Sequence, residues 1–171
     1  LADVRIVDED GQDCAVDQPG EIVVRGDQVL SGYWKRPDAN AEAFRDGWFH
    51  TGDMARMDAE GFVYIVDRKK DMIVSGAENV YPREVEETLY RHPAVAEAAV
   101  FGLPDEHWGE RVAAAVVLRP GERTDEAALD GLCREQLAGY KRPRAWFFVD
   151  EIPKNVSGKV LKRVLRDQHG E

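Results

Sequence analysis

Apolar and polar positions follow two different rhythms along this chain. Up to residue 69 the apolar stretches are short and mostly carry the two-residue period of strands. Val4-Arg5-Ile6-Val7-Asp8 alternates until Gly11 breaks it, and Pro19-Gly20 marks a turn before Glu21-Ile22-Val23-Val24-Arg25. Asp46-Gly47 precedes Trp48-Phe49-His50-Thr51, and Ala59-Glu60-Gly61 precedes Phe62-Val63-Tyr64-Ile65-Val66. Short strands separated by turns predict part of an antiparallel sheet or barrel, in a piece too small to close a barrel alone.

Beyond residue 70 the rhythm changes. Pro82 opens a helix where proline is tolerated, with Glu84, Glu86 and Glu87 in its early turns and Val85 and Leu89 as its buried stripe. Pro93 ends it. Ala94 to Phe101 reads as a strand followed by Gly102 and Pro104, and Arg111 to Leu118 as a second strand closed by Pro120-Gly121. Thr124 is placed as the cap of a helix with Leu129, Leu132, Cys133 and Leu137 at helical spacing, stopped by Gly139. Ala145 to Val149 forms a third strand, and Val160 to Gln168 a last, basic helix. The expected architecture is α+β: a β-rich stretch over 1–69, then a small α+β domain over 70–171 with a three-stranded antiparallel sheet.

Charge sharpens this division. Asp67-Arg68-Lys69-Lys70-Asp71 places five charged residues in a row between two apolar runs. Five charges cannot sit unpaired in a core, so this is an exposed seam. Short, and without Gly or Pro before Gly76, it reads as a hinge rather than a floppy linker, the plainer reading being a solvated strand end.

With 43% hydrophobic and 33% charged residues the 171-residue chain is globular. Its net charge of −10 argues against general nucleic-acid binding. Two local basic patches, Tyr140-Lys141-Arg142-Pro143-Arg144 and Lys154 to Arg166, suit a specific small anion better than a polyanion. No apolar run is long enough to span a bilayer. Neither Cys14 with Cys133 nor His50, His92, His107 and His169 have metal-ligand spacing, and the cysteines read as free thiols of a reducing, cytoplasmic setting. The chain starts at Leu1 without a signal peptide or an initial Met, and is expected to be a piece of a longer protein.

Three segments and one further aromatic residue carry candidate chemistry. In Thr51-Gly52-Asp53, at a predicted strand end, glycine allows close backbone approach and the acid suits a ribose diol; a plain surface turn is the alternative. Ser157-Gly158-Lys159 is not a Walker loop, because Pro153 and Val160 stand where Gly and Ser or Thr are needed. Its lysine can still serve as a point charge against a phosphoryl or carboxylate oxygen, or be an ordinary solvated side chain. Tyr140 to Arg144 offers an aromatic face beside cations, or a charged loop; Trp108 is a core plug or a ligand wall.

Taken in order, these segments resemble the adenylate-forming superfamily of AMP-forming acyl-CoA synthetases, luciferases and peptide-synthetase adenylation domains. The resemblance rests on Pro19-Gly20-Glu21-Ile22, Gly32-Tyr33-Trp34, Gly47-Trp48-Phe49-His50-Thr51-Gly52-Asp53, Asp67-Arg68, Ser75-Gly76-Ala77-Glu78-Asn79-Val80-Tyr81-Pro82, Gly102-Leu103-Pro104-Asp105 and Pro153-Lys154-Asn155-Val156-Ser157-Gly158-Lys159, and covers nearly the whole chain. It looks closest to fatty acyl-CoA or aryl-CoA ligases.

The resemblance implies that Asp53 holds the ATP ribose and that Arg68 reaches the ribose and phosphate region. It implies that Lys70 is the hinge, that Gly76 lines the pantetheine tunnel, and that Lys159 bridges carboxylate and α-phosphate. Trp108, Tyr140, Arg142 and Arg144 would lie near CoA. The family's phosphate loop and Tyr-Gly-x-Thr-Glu segment do not occur here, which implies a C-terminal fragment, inactive alone: residues 1–69 as the last subdomain of the large domain and 70–171 as the lid. ATP, Mg2+ (held mainly by the preceding part), CoA and a carboxylic acid are the implied ligands. The alternatives are an adenylation domain serving a carrier protein, and a non-catalytic nucleotide- or protein-binding module.

Overall fold

The alternating stretches of the first seventy residues build an antiparallel sheet. The computed structural model describes residues 2–170. Strands β1 (Asp3–Val7) and β2 (Gly20–Arg25) pair antiparallel, and a short helix α1 (Pro37–Ala43) leads into β3 (Phe44–Arg45). Then come the long β4 (Trp48–Met57) and β5 (Val63–Arg68). The sheet order is β1-β2-β4, with β3 and β5 both on β4, and every pairing is antiparallel. Helix α1 departs from the all-strand expectation; Pro37 at its first turn supplies the preset φ that starts it. The core is small: Ile6, Ile22 and Ala55 are buried, with Cys14, Val24 and Met57 packed against them.

The chain divides into two compact units, one ending at Lys70 and the next starting at Asp71. The second unit begins with a hairpin, β6 (Ile73–Ser75) and β7 (Glu78–Val80), and α2 (Pro82–Leu89). It continues with β8 (Val95–Asp105), β9 (Gly109–Leu118), α3 (Glu126–Gln136), β10 (Ala145–Phe148) and α4 (Lys162–His169). Strand β9 is central. It pairs along its length with β8, at one end with β6 through Ser75 opposite Gly109, and with β10 over residues 113–116.

The expected three-stranded antiparallel sheet is thus corrected to five strands, with β10 parallel to β9. The reason is the crossover: α3 carries the chain back across the sheet, so β10 re-enters in the direction of β9. The two strands of the β6–β7 hairpin are only three residues long, too short to carry a readable periodicity.

Alternation along β8 and β9 feeds two cores. Ala98, Val100, Val112, Ala114 and Val116 face Val85 and Leu89 of α2 and Leu129 and Cys133 of α3. Ala99, Phe101, Leu103, Ala113 and Ala115 face Ile152 and Leu165 of α4. The sheet is therefore a middle layer, and burying both faces explains its near-continuous apolar strands. Each large aliphatic side chain so buried contributes about 1.5–3 kcal/mol.

Some boundaries move for local reasons. Strand β8 runs on through Gly102 and Pro104 to Asp105, because Pro104 lies opposite Glu110 on an edge strand whose outer side needs no N–H donor. Asp125, not Thr124, caps α3: its Oδ1 accepts the Ala128 N–H at 2.9 Å. That helix stops at Gln136, before Gly139, which opens a 3-10 turn instead.

Candidate functional site

Thr51-Gly52-Asp53 lies in mid-strand, correcting its expected place at a strand end. Val23 of β2 is opposite His50 of β4 and Glu21 is opposite Met54, so Ile22 alone faces Thr51, Gly52 and Asp53. The extra residues form a bulge, the device that re-aims side chains at functional sites. Gly52 supplies the φ of +72° that the bulge needs. Thr51 Oγ1 donates to the Ile22 carbonyl at 2.9 Å and accepts the Asp53 N–H at 3.1 Å.

Asp53 pairs in register with Arg68 of β5, and Arg68 Nη1 donates to Asp53 Oδ1 at 2.5 Å. Two predicted residues, fifteen apart in sequence, thus form one cation–carboxylate pair. Next to them in the sheet is a buried acid, Glu21, outside the set of candidate residues read from the sequence. Glu21 is only 6% exposed. Its Oε1 accepts the Gly52 N–H at 3.2 Å, and its Oε2 accepts from Lys69 Nζ at 2.9 Å. His50 Nδ1 stands 3.0 Å from that same Oε2, and Arg45 Nη2 3.7 Å from it. The sequence signal was present: an acid inside the apolar run Gly20 to Val24 needs buried partners.

Burial alone would raise the Glu21 carboxyl, but hydrogen bonds from His50 and Lys69, with their charges, outweigh it and hold it below the ordinary glutamate value. A depressed folded value contributes stability above the unfolded value, and that contribution is lost as pH falls through the folded one. Unit 1 is therefore expected to lose thermal stability steeply below about pH 4.5, where Glu21 stops balancing Lys69, Arg45 and His50. Glu21→Gln should flatten that acid slope relative to the unaltered chain in circular-dichroism melts across pH. Identical slopes would show that Glu21 does not titrate as described.

The second unit assembles a different group. Gly76 turns the β6–β7 hairpin with φ +67°, and its N–H donates to the Trp108 carbonyl at 2.7 Å. A Cβ at Gly76 would come within 3.1 Å of Trp108 Cε3, so a side chain there meets both strain and crowding. Arg144 Cζ lies 4.6 Å from the centroid of the Trp108 ring, a cation–π contact. The Trp108 loop is itself pinned, since Asp105 Oδ1 accepts the N–H groups of His107 and Trp108, each at 3.0 Å. Those bonds hold the Asp105 carboxyl below its ordinary value.

Gly76, Trp108 and Arg144 are thus together. Tyr140 is half-buried against the α2–α3 core. Arg142 Nε reaches the Gly139 carbonyl at 3.4 Å. The basic patch is less free than its sequence suggests, because Lys141 Nζ is held by both oxygens of Glu84, at 2.7 and 2.8 Å. The other patch is partly neutralised too: Lys154 pairs with Glu97 and Lys162 with Glu86.

Lys159 stands in the loop between those two anchors. Asn155 Oδ1 accepts from Ser157 N, Ser157 Oγ and Lys159 N, at 2.8 to 3.0 Å, and Asn155 N donates to the Lys159 carbonyl at 2.9 Å. The loop backbone is ordered, while among the described residues no ion pair holds the Lys159 ammonium. Lys70 sits in a 3-10 turn, Lys69–Asp71, at the end of the first unit. Cys14 and Cys133 are free, and burial, with a smaller push from Asp130, raises the Cys133 thiol to about 11, so it is inert at neutral pH.

Residues 84–159 match the AMP-binding enzyme C-terminal domain. The chain is 51% identical over 92% of its length to a 2-succinylbenzoate–CoA ligase from Geobacillus kaustophilus, covering 32% of that protein. It is 50% identical over 96% of its length to a long-chain-fatty-acid–CoA ligase from Bacillus subtilis, covering 29% of it. The chain belongs to the adenylate-forming superfamily. A solved structure of o-succinylbenzoate CoA synthetase from Bacillus subtilis, in complex with the acyl-adenylate intermediate OSB-AMP, superposes with a TM-score of 0.89 at 43% identity. That match covers 99% of this chain and 35% of the other. The chain therefore spans about a third of the length of the relatives it matches, and within this superfamily it corresponds to the C-terminal part.

Proposed function

We propose that this chain is the C-terminal part of an AMP-forming acid–CoA ligase of cytoplasmic setting, with a fatty acid as its substrate. The observation that carries the reading is the Asp53–Arg68 pair on a bulged strand, in a chain that also presents an unpaired Lys159 on an ordered loop. Residues 1–69 are read as the last subdomain of the large domain. The small core there, and the exposure of Phe62, Tyr64 and Ile65, suit a surface that packs against further protein. Residues 70–171 are read as the lid, with Lys70 at its start as the hinge.

The chemistry follows from charge. In the first step a carboxylate oxygen attacks the α-phosphorus of ATP, an acyl–phosphate bond forms, and pyrophosphate leaves. Asp53 accepts from the ribose hydroxyls, and Arg68 supplies positive charge beside the phosphates. Lys159, a mobile cation on a fixed backbone, meets the growing negative charge between the two substrates. In the second step the CoA thiolate attacks the acyl carbon and AMP leaves. The lid turns about Lys70 and presents Gly76, whose missing side chain leaves room for the pantetheine arm beside Trp108, with Arg144, Arg142 and Tyr140 toward the nucleotide end of CoA. No group of three or more His, Cys, Asp or Glu side chains converges as metal ligands among the described residues. Mg2+ would therefore be held by the preceding part of the protein, and no step here passes through it.

The fatty-acid assignment draws support from long-chain-fatty-acid–CoA ligases among the relatives. A relative acting on succinylbenzoate at nearly equal identity makes an aryl acid the competing substrate. A carrier-protein adenylation domain is less favoured, since Arg142 and Arg144 suit the phosphates of CoA. The test is pyrophosphate release. The 171-residue chain alone is expected to stay at background with every acid. The longer protein that contains it should release pyrophosphate with fatty acids and form acyl-CoA when CoA is added. Turnover by the short chain, or none by the longer protein, would overturn the reading.

A further inference from the structure

We propose that Glu21 and Lys69 are positioning residues that hold the Asp53–Arg68 pair in place and clamp the end of the first unit, so that any turning of the chain begins at Lys70. This rests on the reading of Asp53 and Arg68 as nucleotide-binding.

Glu21 is a charged side chain almost wholly out of water, in mid-strand. A buried ion pair adds little net stability over an apolar one, so the value of such a group lies in what it fixes. Its two oxygens reach two different elements. Oε1 takes the N–H of Gly52, the residue directly before Asp53 at the apex of the β4 bulge. Oε2 takes the ammonium of Lys69, the residue directly after Arg68. One carboxylate thus ties both members of the Asp53–Arg68 pair, each through its neighbour in sequence. A bulge is otherwise the softest part of a strand, because its extra residues lack ladder partners.

The same contact has a second consequence. The chain leaves β5 at Arg68 and enters a 3-10 turn at Lys69. With the Lys69 side chain fastened to a buried carboxylate, residue 69 belongs mechanically to the first unit. Lys70 is the next residue, and its side chain makes no hydrogen bond or ion pair among the described residues. A clamp at 69 beside a free residue at 70 localises bending to one position.

The experiment uses the full-length ligase, with Glu21→Gln, Lys69→Met, the double variant, Lys69→Arg, and Asp53→Asn as the reference for the site. Each half-reaction is measured separately. Glu21→Gln and Lys69→Met should each raise the KM for ATP in adenylation by about tenfold to a hundredfold, as small misplacements of a binding group do. The KM for the acid should be unchanged. The double variant should be no worse than the poorer single one, because both act through one contact. Lys69→Arg, which keeps the charge, should recover most of the loss. Lys69 is a half-exposed side chain, so its variant folds even if Glu21→Gln does not.

Additive losses in the double variant, an equal rise in KM for both substrates, or no rise at all would overturn the positioning role. If Asp53→Asn itself leaves the KM for ATP unchanged, the reading of the nucleotide site fails. If Asp53→Asn raises it while Lys69→Met does not, only the present inference fails.

Discussion

On the proposed function, replacing Lys159 by alanine in the full-length protein is expected to slow acyl-adenylate formation by about a hundredfold to a thousandfold, the effect of removing one charge-stabilising donor from a transition state, about 2.7–4 kcal/mol. The structure makes this a clean substitution. Asn155 Oδ1 holds the loop through the backbone N–H of Lys159, which alanine retains, and the ammonium has no structural partner among the described residues. Fold and melting temperature should therefore be unchanged. Thioester formation from supplied acyl-adenylate and CoA should be nearly normal, because the proposed function has Gly76 and not Lys159 at the site in that step. Equal losses in both half-reactions would mean that Lys159 serves structure, or that the lid does not turn.

The second large effect is expected at residue 70. Proline fixes φ near −65° and restricts the residue before it. Lys70→Pro should therefore stiffen the junction while removing no side chain assigned to a ligand. The variant is expected to stay in the adenylation arrangement, making acyl-adenylate but transferring it to CoA at least tenfold more slowly, the size of barrier change a trapped conformer of about 1.4 kcal/mol produces. Lys70→Ala keeps the backbone free and should be mild in both steps. Single-turnover measurements of the two half-reactions separate the outcomes. Small and equal effects of proline and alanine would make the charged seam an ordinary solvated surface.

Much of this was legible in the residues themselves, for physical reasons that differ from case to case. Two-residue alternation set out β1, while apolar runs bounded by glycine and proline set out β2, β8 and β9, the last two apolar throughout because both faces of their sheet are buried. Proline at 82 and the Val85–Leu89 spacing marked α2, and both side chains are fully buried. Five consecutive charges placed the seam where the two units divide. Asp53 and Lys159 stand in short motifs whose chemistry is local, whereas Arg68 and Gly76 are marked as candidates only by the resemblance to the superfamily.

What required the tertiary structure involves partners far apart in the chain. The bulge that carries Asp53 exists only because β2 is two residues shorter than β4 across that gap, which no single strand reveals. Strand β10 runs parallel to β9 because α3 crosses the sheet between them, so the strand pattern alone gave the wrong sense. Lys141, Lys154 and Lys162 count as free positive charge in a sequence, yet each meets a glutamate fifty or more residues away, at Glu84, Glu97 and Glu86. Glu21 shows the same limit from the other side. Its position in an apolar run marks it as anomalous, but only the fold shows that Gly52, His50 and Lys69 converge on it. Local pattern determines which elements form, because it acts through the backbone; which charges survive unpaired is decided by packing, because only packing brings distant side chains within hydrogen-bond reach.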